Sequence, residues 1–110
     1  MPITAAAERG ELRRLLGGVT VVSKTANYTA LSTDEVIACD AIAGAMTITL
    51  PPVASNPGLA LRIKKTDSSA NAVTVDGDGD DLIDRALTAV LTTQDESIDV
   101  VCNGTSWGIH

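Results

Sequence analysis

From Val19 to the carboxyl terminus, apolar and polar residues alternate in short runs rich in β-branched side chains, and turn-forming residues interrupt the runs at short intervals. A period of two places successive side chains on opposite faces of an extended backbone, so this pattern dictates strands and excludes a helical bundle. The segments are Val19 to Ser23, Tyr28 to Leu31, Glu35 to Ala41, Met46 to Leu50, Leu59 to Lys65, Ala72 to Asp76, Leu82 to Asp84, Leu87 to Thr92, Ser97 to Asn103 and Ser106 to His110. Between them stand "AIAGA", "PPVASNPG", "TDSSAN", "DGDGDD", "TTQDE" and "NGT". The prolines of "PPVASNPG" offer no amide hydrogen to a ladder and predict a longer connection. Asn103-Gly104 predicts a hairpin of type I′, whose central residues both need positive φ. Many short strands with such turns predict an all-β domain over 19–110, an antiparallel sandwich or barrel-like module.

Residues 1–18, "MPITAAAERGELRRLLGG", differ in kind and form an amino-terminal arm. Leu12, Leu15 and Leu16 lie at helical spacing, so the arm is either a short amphipathic helix from about Ala6 to Leu16, closed by Gly17, or a frayed terminus. Gly10 weakens such a helix by about 1 kcal/mol relative to Ala, and a helix this short needs a surface to lie on.

The core has to be aliphatic, because the chain has no Phe and only Tyr28 and Trp107 bring rings. In "VTVV", "VIA", "ALTAVL" and "VVC" apolar residues occupy consecutive positions, leaving no clean wet face. Strands of this kind gain their second burial from another subunit, which predicts a homo-oligomer. The net charge of −6 argues against nucleic acid, whose affinity depends on clustered cations. The locally basic "RIKK", Arg62 to Lys65, alternates with Ile63 and reads as one face of a strand. No apolar run approaches a membrane span, and the amino terminus lacks the apolar region of a secretory signal. Cys39 and Cys102 lack the spacing of a metal or redox motif and read as two buried thiols. The sequons at Asn27 and Asn103 then have no glycosylation route.

Chemistry is sparse. The one His is residue 110, and there is no nucleophile elbow, P-loop or dinucleotide-binding glycine motif, so no catalytic, cofactor or metal residue is assigned and an enzyme is not expected. The stretch "AVTVDGDGDDLID", residues 72–84, carries five aspartates around two glycines. Counted as a calcium loop from Asp76, it places Asp78 and Asp80 correctly, but Asp81 stands at the sixth position, where Gly is needed, and Leu87 at the twelfth, where Glu is needed. The stretch therefore reads as a hairpin or strand-to-strand corner.

The phrases "YTALSTDEVIACDAIAGAMTITLPPVASNPGLALRIKKTDSSANAVTVDGDGDDLID" and "ALTAVLTTQDESIDVVCNGTSWGIH" resemble a small β-rich module of tailed-bacteriophage virion proteins, found in tail-fibre or spike-associated proteins and in capsid decoration (cement) proteins. The pattern there is an opening Tyr-Thr strand (Tyr28), a "D…G…TITLP" strand (Asp40 to Pro51), a "G…IKKTDSSANAVTVDG" hairpin (Gly58 to Gly77), an "ID" strand (Ile83 to Asp84) and a closing segment (Asn103 to Trp107). The chain departs from it at Asn103, where Asp is frequent, at Ser106, where Asn is frequent, and at Arg85, where Gly is usual. The resemblance implies a homotrimer of β-sandwich-like subunits on a virion, assembled in the host cytoplasm and serving structure, not catalysis. One module and an arm suit a decoration protein better than a fibre. The arm is then expected to dock on the major capsid protein or a neighbouring trimer, through Leu12, Leu15 and Leu16 as apolar contacts and Arg9, Arg13 and Arg14 as charge partners. The alternative is a tail-fibre or tail-tip module that recognises host-surface glycans, with Trp107 stacking on a sugar and the Asp-rich turn adding polar contacts or calcium.

Overall fold

The computed structural model describes residues 19–110. The arm, with Arg9, Leu12, Arg13, Arg14, Leu15 and Leu16, lies outside the described residues.

Among the described residues nine strands form: β1 (Val21–Lys24), β2 (Tyr28–Thr29), β3 (Val36–Cys39), β4 (Met46–Thr49), β5 (Ala60–Lys65), β6 (Val73–Asp76), β7 (Thr88–Leu91), β8 (Ser97–Cys102) and β9 (Trp107–Ile109). They make two sheets, ordered β1-β3-β5-β8-β9 and β2-β4-β6-β7. The first six strands alternate between the sheets and pair in parallel within each one. Each pass of the chain thus lays one strand on either side, giving three successive rungs, β1-β2, β3-β4 and β5-β6. The last three strands reverse: β7 runs antiparallel to β6, β8 to β5 and β9 to β8.

This corrects the expected antiparallel architecture. Parallel neighbours need a long crossover, and here the strand in the opposite sheet supplies it. The "IKKTDSSANAVTV" segment is accordingly not a hairpin, because β5 and β6 belong to different sheets. The Asp-rich stretch does join an antiparallel pair, with Asp76 opposite Thr88. "PPVASNPG" carries a single 3-10 turn at Val53–Ser55. Neither sheet closes into a barrel.

Stacked rungs put like on like. Val22, Ile37, Ile63 and Ile98 form one inward row across the larger sheet. Met46, Val73 and Leu91 form one across the smaller sheet, and Ile48, Val75 and Ala89 another. With Trp107, Leu50, Leu61 and Val100 these rows build one shared core, each fully buried aliphatic side chain contributing about 1.5–3 kcal/mol. The outward faces are mixed. The smaller sheet presents Thr29, Thr49, Asp76 and Thr88 in one row, with Thr47, Thr74 and the half-exposed Val90 in the next. On the larger sheet, Arg62 lies opposite Asp99 and makes a two-pronged ion pair at 2.6 and 2.9 Å.

Buried polar anchors fix the corners between rungs. Lys65 is fully buried on the inward side of β5 with Ile63, while Arg62 and Lys64 lie on the other side, so the basic residues of "RIKK" do not all share one face; the Lys65 ammonium meets Asp67 at 2.7 Å. Asp67 also accepts the Ala41 amide at 2.7 Å, the Ser69 amide at 3.0 Å and the Ser69 hydroxyl. Those donors, led by Lys65, hold its carboxyl far below the usual carboxylate range despite burial, which opposes them. One carboxylate thereby ties the corner after β5 to the corner after β3. Asp34 does the same at the corner after β2, accepting the Tyr28 hydroxyl at 2.7 Å and the Leu31 amide at 2.8 Å.

Candidate functional site

The connection from β6 to β7 does more than turn the chain. After Gly77 it crosses to the larger sheet, where the Trp107 amide donates to the Leu82 carbonyl at 2.8 Å and the Asp84 amide to the Trp107 carbonyl at 2.9 Å. The segment read as a strand at Leu82 to Asp84 is thus reduced to isolated bridges of Ile83, one to Trp107 and one to Ala86. Gly77 is required by proximity, since a Cβ there would stand 2.1 Å from the Asp81 carbonyl oxygen.

Next comes a two-residue reversal. The Ile83 amide donates to the Ala86 carbonyl at 2.7 Å and the Ala86 amide donates back at 3.0 Å. The residues between them, Asp84 and Arg85, have φ of 54° and 97°. Reciprocal bonds around two positive φ angles define a type I′ turn, which favours Asn or Asp followed by Gly. Asp84 suits its position, whereas Arg85 occupies the glycine position.

The expected type I′ turn at Asn103-Gly104 takes another form. Gly104 has φ of 94°, but Asn103 is absent from the positive-φ residues, and Cys102 pairs with Trp107 around a four-residue loop. The Asn103 carboxamide oxygen holds that loop, accepting the Thr105 amide, the Thr105 hydroxyl and the Ser106 amide, each at 2.9 Å.

These two turns face one cleft of about 550 Å³, lined by Leu82, Asp84, Arg85, Asn103, Ser106 and the 107–108 segment. Its polar groups are unequal. Asp84 Oδ1 is committed to the Ile109 amide at 3.0 Å, and the Asn103 oxygen is used up by its loop, so the amide NH₂ is what Asn103 offers outward. Arg85 is exposed and makes no salt bridge among the described residues.

Trp107 is fully buried and cannot lay its ring on a sugar, which corrects that part of the glycan expectation. Its Nε1 is buried without a hydrogen-bond partner among the described residues. Two carboxylates of the Asp-rich turn serve as backbone acceptors: Asp81 takes the Val53 amide at 3.1 Å and Asp84 the Ile109 amide. Among the described residues no group of three or more His, Cys, Asp or Glu side chains is placed to hold a metal ion. Cys39 and Cys102 are both buried and unbridged, and burial pushes the Cys39 thiol up to about 11.

Sequence reasoning noticed Arg85 and Ser106 only as departures from a pattern, gave Asn103 a turn and placed Asp84 in the Asp-rich stretch, and it did not bring the four together. Their signal was indirect: a non-glycine at a turn tip in one segment and an Asn-Gly turn in another, brought together only because β9 pairs with the 82–84 segment. No model of a known protein family matches the chain, and no curated protein matches it.

Proposed function

We propose that the chain is a virion structural protein, a trimeric capsid decoration protein whose sandwich-like β-module self-associates and whose arm docks on the major capsid protein. The observation that carries self-association is the free edge of the smaller sheet. Among the described residues β7 has a neighbour on one side only, and the stretch from Leu87 to Thr93 contains no charge and no proline. Leu87 is 53% exposed and Val90 49%. Soluble monomers ordinarily blunt such an edge with Lys, Pro or a bulge, because its unpaired backbone groups template another strand. A second copy of the chain satisfies both the edge and its apolar side chains.

The virion assignment rests on the resemblance of the "TITLP" and "IKKTDSSANAVTVDG" segments. Burying the arm on a capsid would offset an ordering cost of about 1–2 kcal/mol per residue through repeated attachment. Two measurements test the proposal. Light scattering at micromolar concentration should give a trimer mass for the intact chain and a monomer mass for Val90→Glu; a monomeric intact chain refutes self-association. Deleting residues 1–18 should abolish co-sedimentation with capsids without altering the trimer, and undiminished binding of the truncated protein refutes the role of the arm.

A further inference from the structure

We propose that the cleft between the Asp84-Arg85 turn and the Asn103–Ser106 loop binds a hydroxylated carboxylate, of the kind a uronic-acid residue of a polysaccharide presents. The first ground is where the turn holds Arg85. A φ of 97° is a backbone state that L side chains adopt at a cost, and residues persist there only where the surroundings over-determine them. The surroundings do so here: both ends of the turn are closed by the Ile83–Ala86 bonds, the Asp84 amide is bonded to Trp107 and the Asp84 side chain to the Ile109 amide. A rigid platform thus presents a guanidinium that has no acidic partner among the described residues, on the wall of a cleft of about 550 Å³. That volume falls in the range of small-molecule sites.

The second ground is the donor set. Arg85 supplies a planar fork that matches a carboxylate through two parallel hydrogen bonds. The Asn103 NH₂ and the Ser106 hydroxyl add donors from the opposite loop, and the Asn103 amide is oriented by the three bonds its oxygen already accepts. Asp84 selects among anions. Its carboxylate lines the same cleft and repels a compact dianion such as phosphate, but its uncommitted oxygen accepts hydrogen bonds from hydroxyls. A ligand with a single carboxylate flanked by hydroxyl groups uses both charges, and Leu82, 39% exposed, offers an apolar contact to a sugar ring's C–H face. The site uses none of residues 1–18 and is independent of where on a particle the protein sits.

The test is titration of the intact, isotopically labelled protein with glucuronate, followed by amide and Arg Nε–H shifts, with glucose, acetate and inorganic phosphate as comparison probes. Saturable shifts confined to residues 82–86 and 103–108 are expected with glucuronate. Arg85→Gly, which fits the turn geometry and stays folded, should weaken glucuronate at least about tenfold, the loss of one charge-assisted pair, and Arg85→Lys should weaken it less. No saturable shift with glucuronate overturns the site, as does equal binding by Arg85→Gly. Acetate or phosphate binding as tightly as glucuronate overturns the ligand class.

Discussion

Replacing Arg85 by glycine should make the protein more stable, although it deletes the largest side chain of the turn. In the left-handed region a non-glycine residue costs about 1–2 kcal/mol, and glycine removes that cost. Against it stands the extra freedom glycine brings to the unfolded chain, about 0.4–1 kcal/mol. Arg85 is exposed and without a salt bridge among the described residues, so the side chain itself contributes little. The central values leave a net gain of about 0.8 kcal/mol, which at this domain size raises the melting temperature by roughly 3–6 °C. Urea unfolding at fixed protein concentration should show a higher midpoint with an unchanged slope. Arg85→Ala is the decisive control, since alanine meets the same backbone penalty as arginine and should gain nothing. If alanine stabilises as much as glycine, or if glycine lowers the midpoint, the strain argument fails.

Two other outcomes follow from the buried polar groups. The hydrogen bond to Asp34 raises the Tyr28 hydroxyl to about 12, with burial and the Asp34 charge acting in the same direction. Tyr28 is the only tyrosine, so its ultraviolet titration is unambiguous and should have its midpoint about 2 units above a free tyrosine. Because the folded value exceeds the unfolded one, the stabilisation is complete below pH 10 and is lost between about pH 10 and 12. A midpoint at 10 in the folded protein would contradict the Asp34 bond. Lys65→Ala, which strands the Asp67 carboxylate in the interior, should cost about 3 kcal/mol, measured by chemical denaturation, whereas Lys64→Ala on the solvent side should cost under about 0.5 kcal/mol. For Asp67 the depressed carboxyl gives the opposite pH sign from Tyr28: its contribution is present above the unfolded value near 4 and is lost as the pH falls further.

The positions of the strands were legible because alternation reports on burial, and burial is what the two sheets satisfy. Nine of the ten segments became strands within a few residues of the expected ends, and the tenth became the Ile83 bridges. Strand direction was not legible. A residue such as Ile63 alternates in the same way whether its neighbour is the parallel Ile37 or the antiparallel Ile98, and it has one of each. Consecutive apolar residues did place apolar side chains on the outer faces, with Val36 and Ala38 half-covered and Val21 and Val90 exposed, and what the pattern did not show is the polar rows beside them. The one-face reading of "RIKK" holds for Arg62 and Lys64 but not for Lys65, because only the fold shows that Asp67, two residues on, turns back to meet its ammonium inside. The cleft was hidden because its two turns are about 20 positions apart in sequence.

The winding of the chain also bears on how such a protein can vary in length. In the first part every rung offers its successor the same parallel edge on both sides, so an added segment of one rung's length could be spliced between β2 and β3, or between β4 and β5, without any existing strand changing its facing partner type. The reversed strands β7 to β9 act as a stopper: beyond β6 the hydrogen-bonding direction no longer matches, and no further rung can be threaded there. Growth of this architecture is therefore one-directional, a ratchet written into the order of its hydrogen bonds, and longer and shorter versions would share their closing strands while differing upstream.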